Sequence, residues 1–382
     1  MNKSDLIFKL SPHLISYRAN RWFGYKNINP ITLTFSVTAA CQSKCKTCQI
    51  GQMFYDDPSR PKLDMTIDEI EKVFKSMKPM YFFNISGGEP FLRKDLPQII
   101  ELGCKYLKPR VIHIPTNAIQ TGKIARDTRE MVKIIRSYDP TVPFTIKPSI
   151  DGVGEKHDEI RGAKGNFKAL LKTIDELKII EAEYDNFHLE LGTVISNFNV
   201  DSLDDIEDFV HTLGIESYRN EVAEQRTEFF NIGDPITPDA AIYRSLIRNF
   251  SKKVEENISK KRTLAKTTEA LRIVYYDIAG KILETNTQVI PCYAGVSNVH
   301  INYNGDVWPC CVLGYDKKMG NLRDYNYDFQ KLWKSDKANE VRKYIRNKSC
   351  ACPLANQAYS NILMHIPSLF KATAKTIKYS RN

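Results

Sequence analysis

No uninterrupted apolar stretch in these 382 residues reaches the roughly 18 needed to span a bilayer. The first residues, MNKSDLIFKLSPHLISYR, lack the pattern of a secretory signal, since Lys9, Pro12 and His13 break the apolar run and no small-residue cleavage site follows. No internal repeat and no low-complexity tract is visible, which excludes solenoids and fibres. A hydrophobic fraction of 42% and a charged fraction of 26% exclude wholesale disorder. An intracellular, cytoplasmic chain with a sizeable core is expected. Acid is also scarce at both ends. Residues 1–50 carry seven Lys/Arg against Asp5 alone, and residues 341–382 carry eight with no acid. Subtracting these +6 and +8 balances from the overall +10 leaves −4 for residues 51–340. The body is mildly acidic and the ends are basic.

What the sequence does have is cysteine, in groups. Cys41, Cys45 and Cys48 form one cluster, and Cys292, Cys310, Cys311, Cys350 and Cys352 form another. In a cytosolic setting such groups point to metal ligation or catalysis rather than disulfides. Cys104 stands alone in a helical pattern and reads as a buried thiol.

From residue 30 the chain alternates short β-rich runs with helical patterns. The strands are expected at 31–37, 80–86, 111–117, 144–150, 187–196 and 215–222. Between them run segments such as TIDEIEKVFKSM, where Thr66 can cap and Ile67, Ile70, Val73 and Phe74 share a face. Six such units imply an α/β fold with a parallel sheet, too short for an eight-fold barrel and better described as a partial (β/α)6 barrel. The expected organisation is a basic amphipathic segment over 1–29, the barrel over 30–230, a helical linker over 231–285, a small α+β cysteine module over 286–358 and a basic amphipathic tail over 359–382.

Three thiolates in the Cys41-Gln-Ser-Lys-Cys45-Lys-Thr-Cys48 loop, directly after a strand, can converge on one iron–sulfur cube and leave its fourth iron open to a small molecule. Zinc is the other reading of the loop, but no fourth ligand lies nearby. Gly87-Gly88-Glu89-Pro90 follows the second strand, Thr116 and Asn117 end the third, Ser149 and Asp151 the fourth, and Ser196 and Asn197 the fifth. Together these motifs resemble the radical S-adenosylmethionine (SAM) enzymes, with their CxxxCxxC loop and GGEP motif. The resemblance implies that Cys41, Cys45 and Cys48 hold a SAM-binding 4Fe–4S cluster. It also implies that Gly87, Gly88 and Glu89 receive the methionine end, and that Thr116, Asn117, Ser149, Asp151 and Ser196 line the nucleoside. Where the family often has an aromatic residue before the last cysteine, this chain has Thr47, so the adenine contact is expected elsewhere or through backbone.

Asn304-Gly305 has hairpin chemistry between INY and DVW, which would bring Cys292 and Cys310 together across a small sheet. Cys310 and Cys311 are adjacent, so in an extended segment they point opposite ways. This region resembles the SPASM/twitch extension of the same enzymes. Its cysteine count permits one auxiliary 4Fe–4S cluster, on Cys292, Cys310, Cys350 and either Cys352 or Cys311, with Cys352 preferred.

The family likeness implies reductive cleavage of SAM to a 5′-deoxyadenosyl radical and hydrogen abstraction from an unactivated position of a peptide or a sugar- or lipid-linked substrate. An auxiliary cluster would assist, and flavodoxin or ferredoxin would donate electrons. Tyr218, Arg219, Glu221, Glu224 and Arg226 either face that substrate or begin a solvated helix. The basic ends bear apolar residues: Leu6, Ile7, Leu10, Leu14, Trp22 and Phe23 at one, and Ile362, Ile366, Leu369, Phe370 and Ile377 opposite Lys371, Lys375 and Lys378 at the other. They suggest peripheral contact with a membrane. The rival reading is a non-catalytic zinc protein that binds nucleic acid through those ends.

Overall fold

The computed structural model describes residues 12, 14–21, 28–215, 217–257 and 263–381. The sequence alternation becomes six strands: β1 (Thr32–Ser36), β2 (Phe82–Ser86), β3 (Val111–Thr116), β4 (Phe144–Pro148), β5 (Phe187–Ile195) and β6 (Ser217–Val222). They pair in parallel in that order. The connecting helices are α1 (Ile50–Asp56), α2 (Ile67–Ser76), α3 (Leu96–Leu102), α4 (Thr121–Tyr138), α5 (Glu155–Arg161), α6 (Asn166–Glu183) and α7 (Leu203–Thr212). Helix α2 shows how local chemistry sets the boundaries. Thr66 Oγ1 accepts from the Glu69 amide at 3.3 Å, and the Glu69 carboxylate accepts from the Thr66 amide at 2.8 Å. Ile70, Val73 and Phe74 then face the sheet and are buried. The fold is a partial (β/α)6 barrel.

Residues 231–285 supply α8 (Ala240–Asn257) and α9 (Thr263–Thr285). The cysteine-rich segment follows with β7 (Asn298–Ile301), β8 (Asp306–Trp308) and β9 (Gly320–Asn321). Strand β7 pairs in parallel with β1, Thr34 opposite His300, so the sheet runs β6-β5-β4-β3-β2-β1-β7-β8-β9. The cysteine module is thus continuous with the barrel wall, and β7 is its seventh parallel strand. Gly305, at φ 85, makes the β7–β8 turn that the Asn-Gly pair announced. Further helices are α10 (Phe329–Trp333), α11 (Asp336–Arg346), α12 (Ala355–Met364) and α13 (Ile366–Arg381), and residues 14–21 are helical as well.

The tail expectation needs correction. It is two helices interrupted at His365, with Pro367 in the first turn of α13. Ile362 belongs to the buried face of α12, while Ile366, Phe370 and Ile377 are exposed on α13. At the other end, Leu6, Ile7, Leu10, Trp22 and Phe23 lie outside the described residues. Leu14 packs beside the buried Tyr17, whose hydroxyl donates to the Asn29 carbonyl. Arg21 donates to the Cys292 carbonyl at 2.6 Å, and the buried Arg342 donates to the carbonyls of Gly295 and Trp333. Part of the terminal positive charge therefore ties backbone together.

Candidate active site and cysteine centres

The strand C-terminal ends open onto one cavity of about 260 Å3, lined by Cys41, Cys45, Cys48, Gly87, Gly88, Ser149 and Arg161 among others. The cysteine loop runs from β1 to α1 and is held on every side. The Lys46 amide donates to Ile160 O at 2.9 Å, Asn231 Nδ2 to Thr47 O at 2.7 Å and Asn117 Nδ2 to Ser43 Oγ at 3.0 Å. Two glycines allow this closeness: a Cβ on Gly51 would meet Ser43 O at 1.7 Å, and one on Gly162 would meet Lys44 O at 2.0 Å. Burial pushes the Cys41 thiol up to about 12, and Cys45 and Cys48 also rise. Their mutual repulsion as thiolates adds to the effect at Cys41 and Cys48. Three half-buried thiols in one short loop need a cationic centre to stay ionised, and that donor chemistry fits three irons of a cube.

The Gly87–Glu89 turn is zipped to the same loop. Gly88 N donates to Thr38 O at 3.0 Å and Glu89 N to Ala40 O at 2.8 Å. Any side chain on Gly88 would strike Ala40 O, 2.1 Å from its Cβ position. The Glu89 carboxylate is buried and accepts from Asn117 N at 2.7 Å, Thr116 Oγ1 at 2.9 Å and Phe91 N at 3.2 Å. Burial raises its pKa against those bonds.

Of the residues read from the sequence, Gly87, Gly88 and Ser149 line the cavity directly. Glu89, Thr116 and Asn117 form a bonded group behind it. Asp151 pairs with Arg161 at 3.1 Å and accepts from Val194 N at 2.8 Å, so it orients the wall. Ser196 is fully buried, and its amide donates to Asn199 Oδ1 at 2.8 Å, a turn-forming arrangement away from the cavity lining. Arg161 was missed: it lines the cavity and lies in electrostatic reach of Cys45 and Cys41. Its signal was the helical stretch after Asp151, which returns the chain to the cysteine loop. Phe229 also lines the cavity, an aromatic residue with the Arg226 guanidinium 4.7 Å over its ring, where the sequence has only Thr47 before Cys48.

Deeper in, the barrel interior is charged. Lys147–Glu221 at 3.1 Å, Arg219–Glu190 at 2.7 Å and Arg226–Glu224 at 2.7 Å form three ion pairs. Burial alone would raise the Glu190 carboxyl, but Arg219 and Lys147 outweigh it and hold it at about 2. Burial drives His113, which lines the same space, down to about 3. Arg219, Glu221, Glu224 and Arg226 line the cavity, whereas Tyr218 does not. Its hydroxyl bonds Thr193 and its ring packs on Phe250. The solvated helix considered for this stretch does not form; Glu224 is buried and only Thr227–Phe229 makes a 3-10 turn.

In the second group, Cys292, Cys350 and Cys352 line a small cavity of about 30 Å3 together with Ile278 and Ile282 of α9 and Leu354. Cys310 lies in electrostatic reach of Cys292 and Cys350, and Cys352 in reach of Cys310 and Cys292. Burial raises all four thiols. Four thiols in an apolar cradle fit a closed cluster site. Cys311 faces the other way, toward Arg226 and Glu228.

Comparison with known proteins gives the following. The Radical SAM superfamily profile matches residues 35–213, and the SPASM iron-sulfur cluster-binding domain profile matches residues 292–353. The antilisterial bacteriocin subtilosin biosynthesis protein AlbA of Bacillus subtilis is 24% identical over 340 residues, covering 85% of this chain and 66% of AlbA. An AdoMet-dependent heme synthase of Oleidesulfovibrio alaskensis is 24% identical over 317 residues, covering 79% and 74%. The mycofactocin maturase MftC of Mycolicibacterium smegmatis is 26% identical over 179 residues, covering 46% and 40%. The chain thus spans just under two thirds of AlbA and less than half of MftC. Among solved structures, Streptococcus suis SuiB bound to S-adenosylmethionine aligns with TM-score 0.58 at 16% identity, covering 89% of this chain and 73% of SuiB. Native anSMEcpe with bound AdoMet and a Cp18Cys peptide aligns with TM-score 0.57 at 14% identity, covering 92% and 99%.

Proposed function

This chain belongs to the radical SAM superfamily and carries a SPASM iron–sulfur domain, and from that premise we propose that it modifies a peptide by radical chemistry inside the barrel. The observation that carries the reading is one continuous cavity that joins the three-cysteine loop to an interior of paired charges. When bound, SAM and its cluster supply a 5′-deoxyadenosyl radical that takes hydrogen from an unactivated carbon. The protein's own part is positional. Cys41, Cys45 and Cys48 hold the cluster. The Gly87-Gly88 backbone lets the methionine end approach, and Glu89, fixed by Thr116 and Asn117, supplies the negative charge behind it. Ser149, Arg161 and Phe229 complete the nucleoside wall. Asp151 acts through Arg161, and Ser196 shapes the turn beyond β5.

Lys147–Glu221 and Arg226–Glu224 line the cavity as ion pairs, and Arg219 lines it with Glu190 buried behind, a surface that suits a substrate bearing both charges, as a peptide does. Relatives named for bacteriocin biosynthesis and mycofactocin maturation support the same class over a sugar- or lipid-linked substrate. Cys292, Cys310, Cys350 and Cys352 would hold one auxiliary cluster, which would supply one-electron redox chemistry or a docking point beside the substrate. Flavodoxin or ferredoxin is the reductant in this reading. Among the described residues no helix is long and apolar enough to cross a membrane. The exposed Ile366, Phe370 and Ile377 beside Lys371 and Lys378 instead suit docking of α13 on an anionic bilayer surface.

The test is anaerobic incubation of reconstituted protein with SAM, dithionite and the short peptides encoded beside its gene. Formation of 5′-deoxyadenosine together with a mass change in one peptide supports the reading. Formation of 5′-deoxyadenosine with every such peptide unchanged, while a sugar- or lipid-linked compound is consumed, overturns the peptide assignment. A colourless protein with stoichiometric zinc in place of iron would favour the zinc-protein rival.

A further inference from the structure

Neither cysteine group uses Cys311, and the structure gives it partners of a different kind. Glu228 sits in the 3-10 turn after β6, His300 on β7, and Cys311 just past β8. Their donor atoms lie within 4.8 Å of one another, and the residues are 5%, 3% and 8% exposed. His300 Nε2 is 3.5 Å from Glu228 Oε1. Ser36 of β1 adds a hydroxyl 2.7 Å from His300 Nε2 and 3.3 Å from Glu228 Oε1. A cavity of about 60 Å3 is lined by all three residues and by Arg226. The Trp308 ring, 4.9 Å from the imidazole, closes one side.

Among the described residues, the one cation facing this pocket is already engaged. Arg226 is the cation facing Cys311 and Glu228, but its Nε and Nη2 both bond Glu224 Oε1, at 3.0 and 2.7 Å. That pair is neutral. A carboxyl, a thiol and an imidazole remain, buried side by side with the hydroxyl of Ser36. A sulfur, a nitrogen and an oxygen donor converging on one cavity select a borderline-soft metal over magnesium or calcium.

We propose that Glu228, His300 and Cys311 form a third metal site that binds a thiophilic divalent cation of the zinc type. It shares no ligand with either cysteine centre, although Cys310 lines the same cavity and Glu228 lies in electrostatic reach of Cys48. The site would clamp three segments. The turn bearing Glu228 also holds the first cysteine loop, through the bond from Gln49 N to Phe229 O at 2.9 Å. Strand β7 is part of the barrel wall, and Cys311 adjoins Cys310. A metal here would fix the distance between the two centres, whatever the substrate.

The experiment is metal analysis of the full-length, anaerobically reconstituted protein after incubation with zinc sulfate and desalting. About one zinc per chain is expected in addition to the cluster iron, coordinated by one sulfur at about 2.3 Å and by nitrogen and oxygen at about 2.0–2.2 Å in zinc-edge X-ray absorption. Glu228→Gln, His300→Ala and Cys311→Ser should each lower retained zinc at least about tenfold, with iron unchanged, since losing even a group that only supports a metal ligand costs about 10–100-fold in affinity. Three results would overturn the proposal: zinc below about a tenth of an equivalent, zinc surrounded by three or four sulfurs, or loss of iron rather than zinc in Cys311→Ser. The spectroscopic arm reads the unsubstituted protein, so it decides even if a variant does not fold.

Discussion

Glu89 shows how much one side chain carries. Its carboxylate accepts three hydrogen bonds while buried behind the Gly87-Gly88 turn. Glu89→Gln keeps the shape and removes the charge. Because a hydrogen bond to a charged group is worth about 1.5–3 kcal/mol, SAM binding should weaken by about 10–150-fold. Equilibrium dialysis or calorimetry against SAM checks this; unchanged affinity would remove Glu89 from the site. Cys45→Ala tests the neighbouring thiol trio. The variant should bind less iron and form no 5′-deoxyadenosine above background, and persistent turnover would refute the assignment. Cys45 was read with Cys41 and Cys48 from the spacing of their loop, and Glu89 with Gly87 and Gly88 from the resemblance to a family motif. Arg161 and Phe229 were not, because each lines the cavity from an element far from the motif in sequence.

At the scale of elements, the cysteine loop is rigid because backbone meets backbone where side chains are missing. In Gly88→Ala the new methyl would overlap Ala40 O, whose carbonyl accepts the Glu89 amide, so the loop must shift. Overpacking of this kind costs about 1–3 kcal/mol. The expected result is a lower melting temperature together with reduced cluster loading, read by differential scanning calorimetry and iron analysis. Helix α13 supports a prediction of another kind. It packs through Ala372 and Tyr379 and leaves Ile366, Phe370 and Ile377 outside. Phe370→Asp with Ile377→Asp should reduce co-sedimentation with phosphatidylserine vesicles several-fold, given about 0.8 kcal/mol per buried CH2 and about 1 kcal/mol per cation near the surface. Equal sedimentation of both proteins would remove the membrane role. The periodicity of 359–382 pointed to this amphipathic character and Pro367 to a break or start near it, but the burial of Ile362 depends on what α12 packs against.

At the scale of the whole molecule, the barrel and the cysteine module share one sheet and are also joined by polar contacts at its edge. Arg323 Nε lies 2.9 Å from Glu69 Oε1, and Tyr327 donates to the same oxygen at 2.8 Å. The bond from Arg323 is the largest influence that takes the Glu69 carboxyl from 4.5 down to about 2. A carboxyl depressed on folding stabilises above its unfolded pKa and loses that contribution as pH falls through the folded value. The contact should therefore act fully above about pH 5 and fade toward pH 2. Arg323 is 36% exposed, so solvent screening limits the loss in Arg323→Ala to about 1 kcal/mol. Chemical denaturation at pH 7 and pH 3 should show the gap between the two proteins shrink at the lower pH. A gap that holds or widens would contradict the linkage. The order of strands, the capping of α2, the cluster loop and the Asn-Gly hairpin were determined by the sequence itself, because periodicity, caps and turns are local. The parallel pairing of β7 with β1, the charged interior and the meeting of Glu228, His300 and Cys311 were decided only by tertiary structure, since each joins segments whose contact follows from how the sheet closes rather than from any neighbour in the chain.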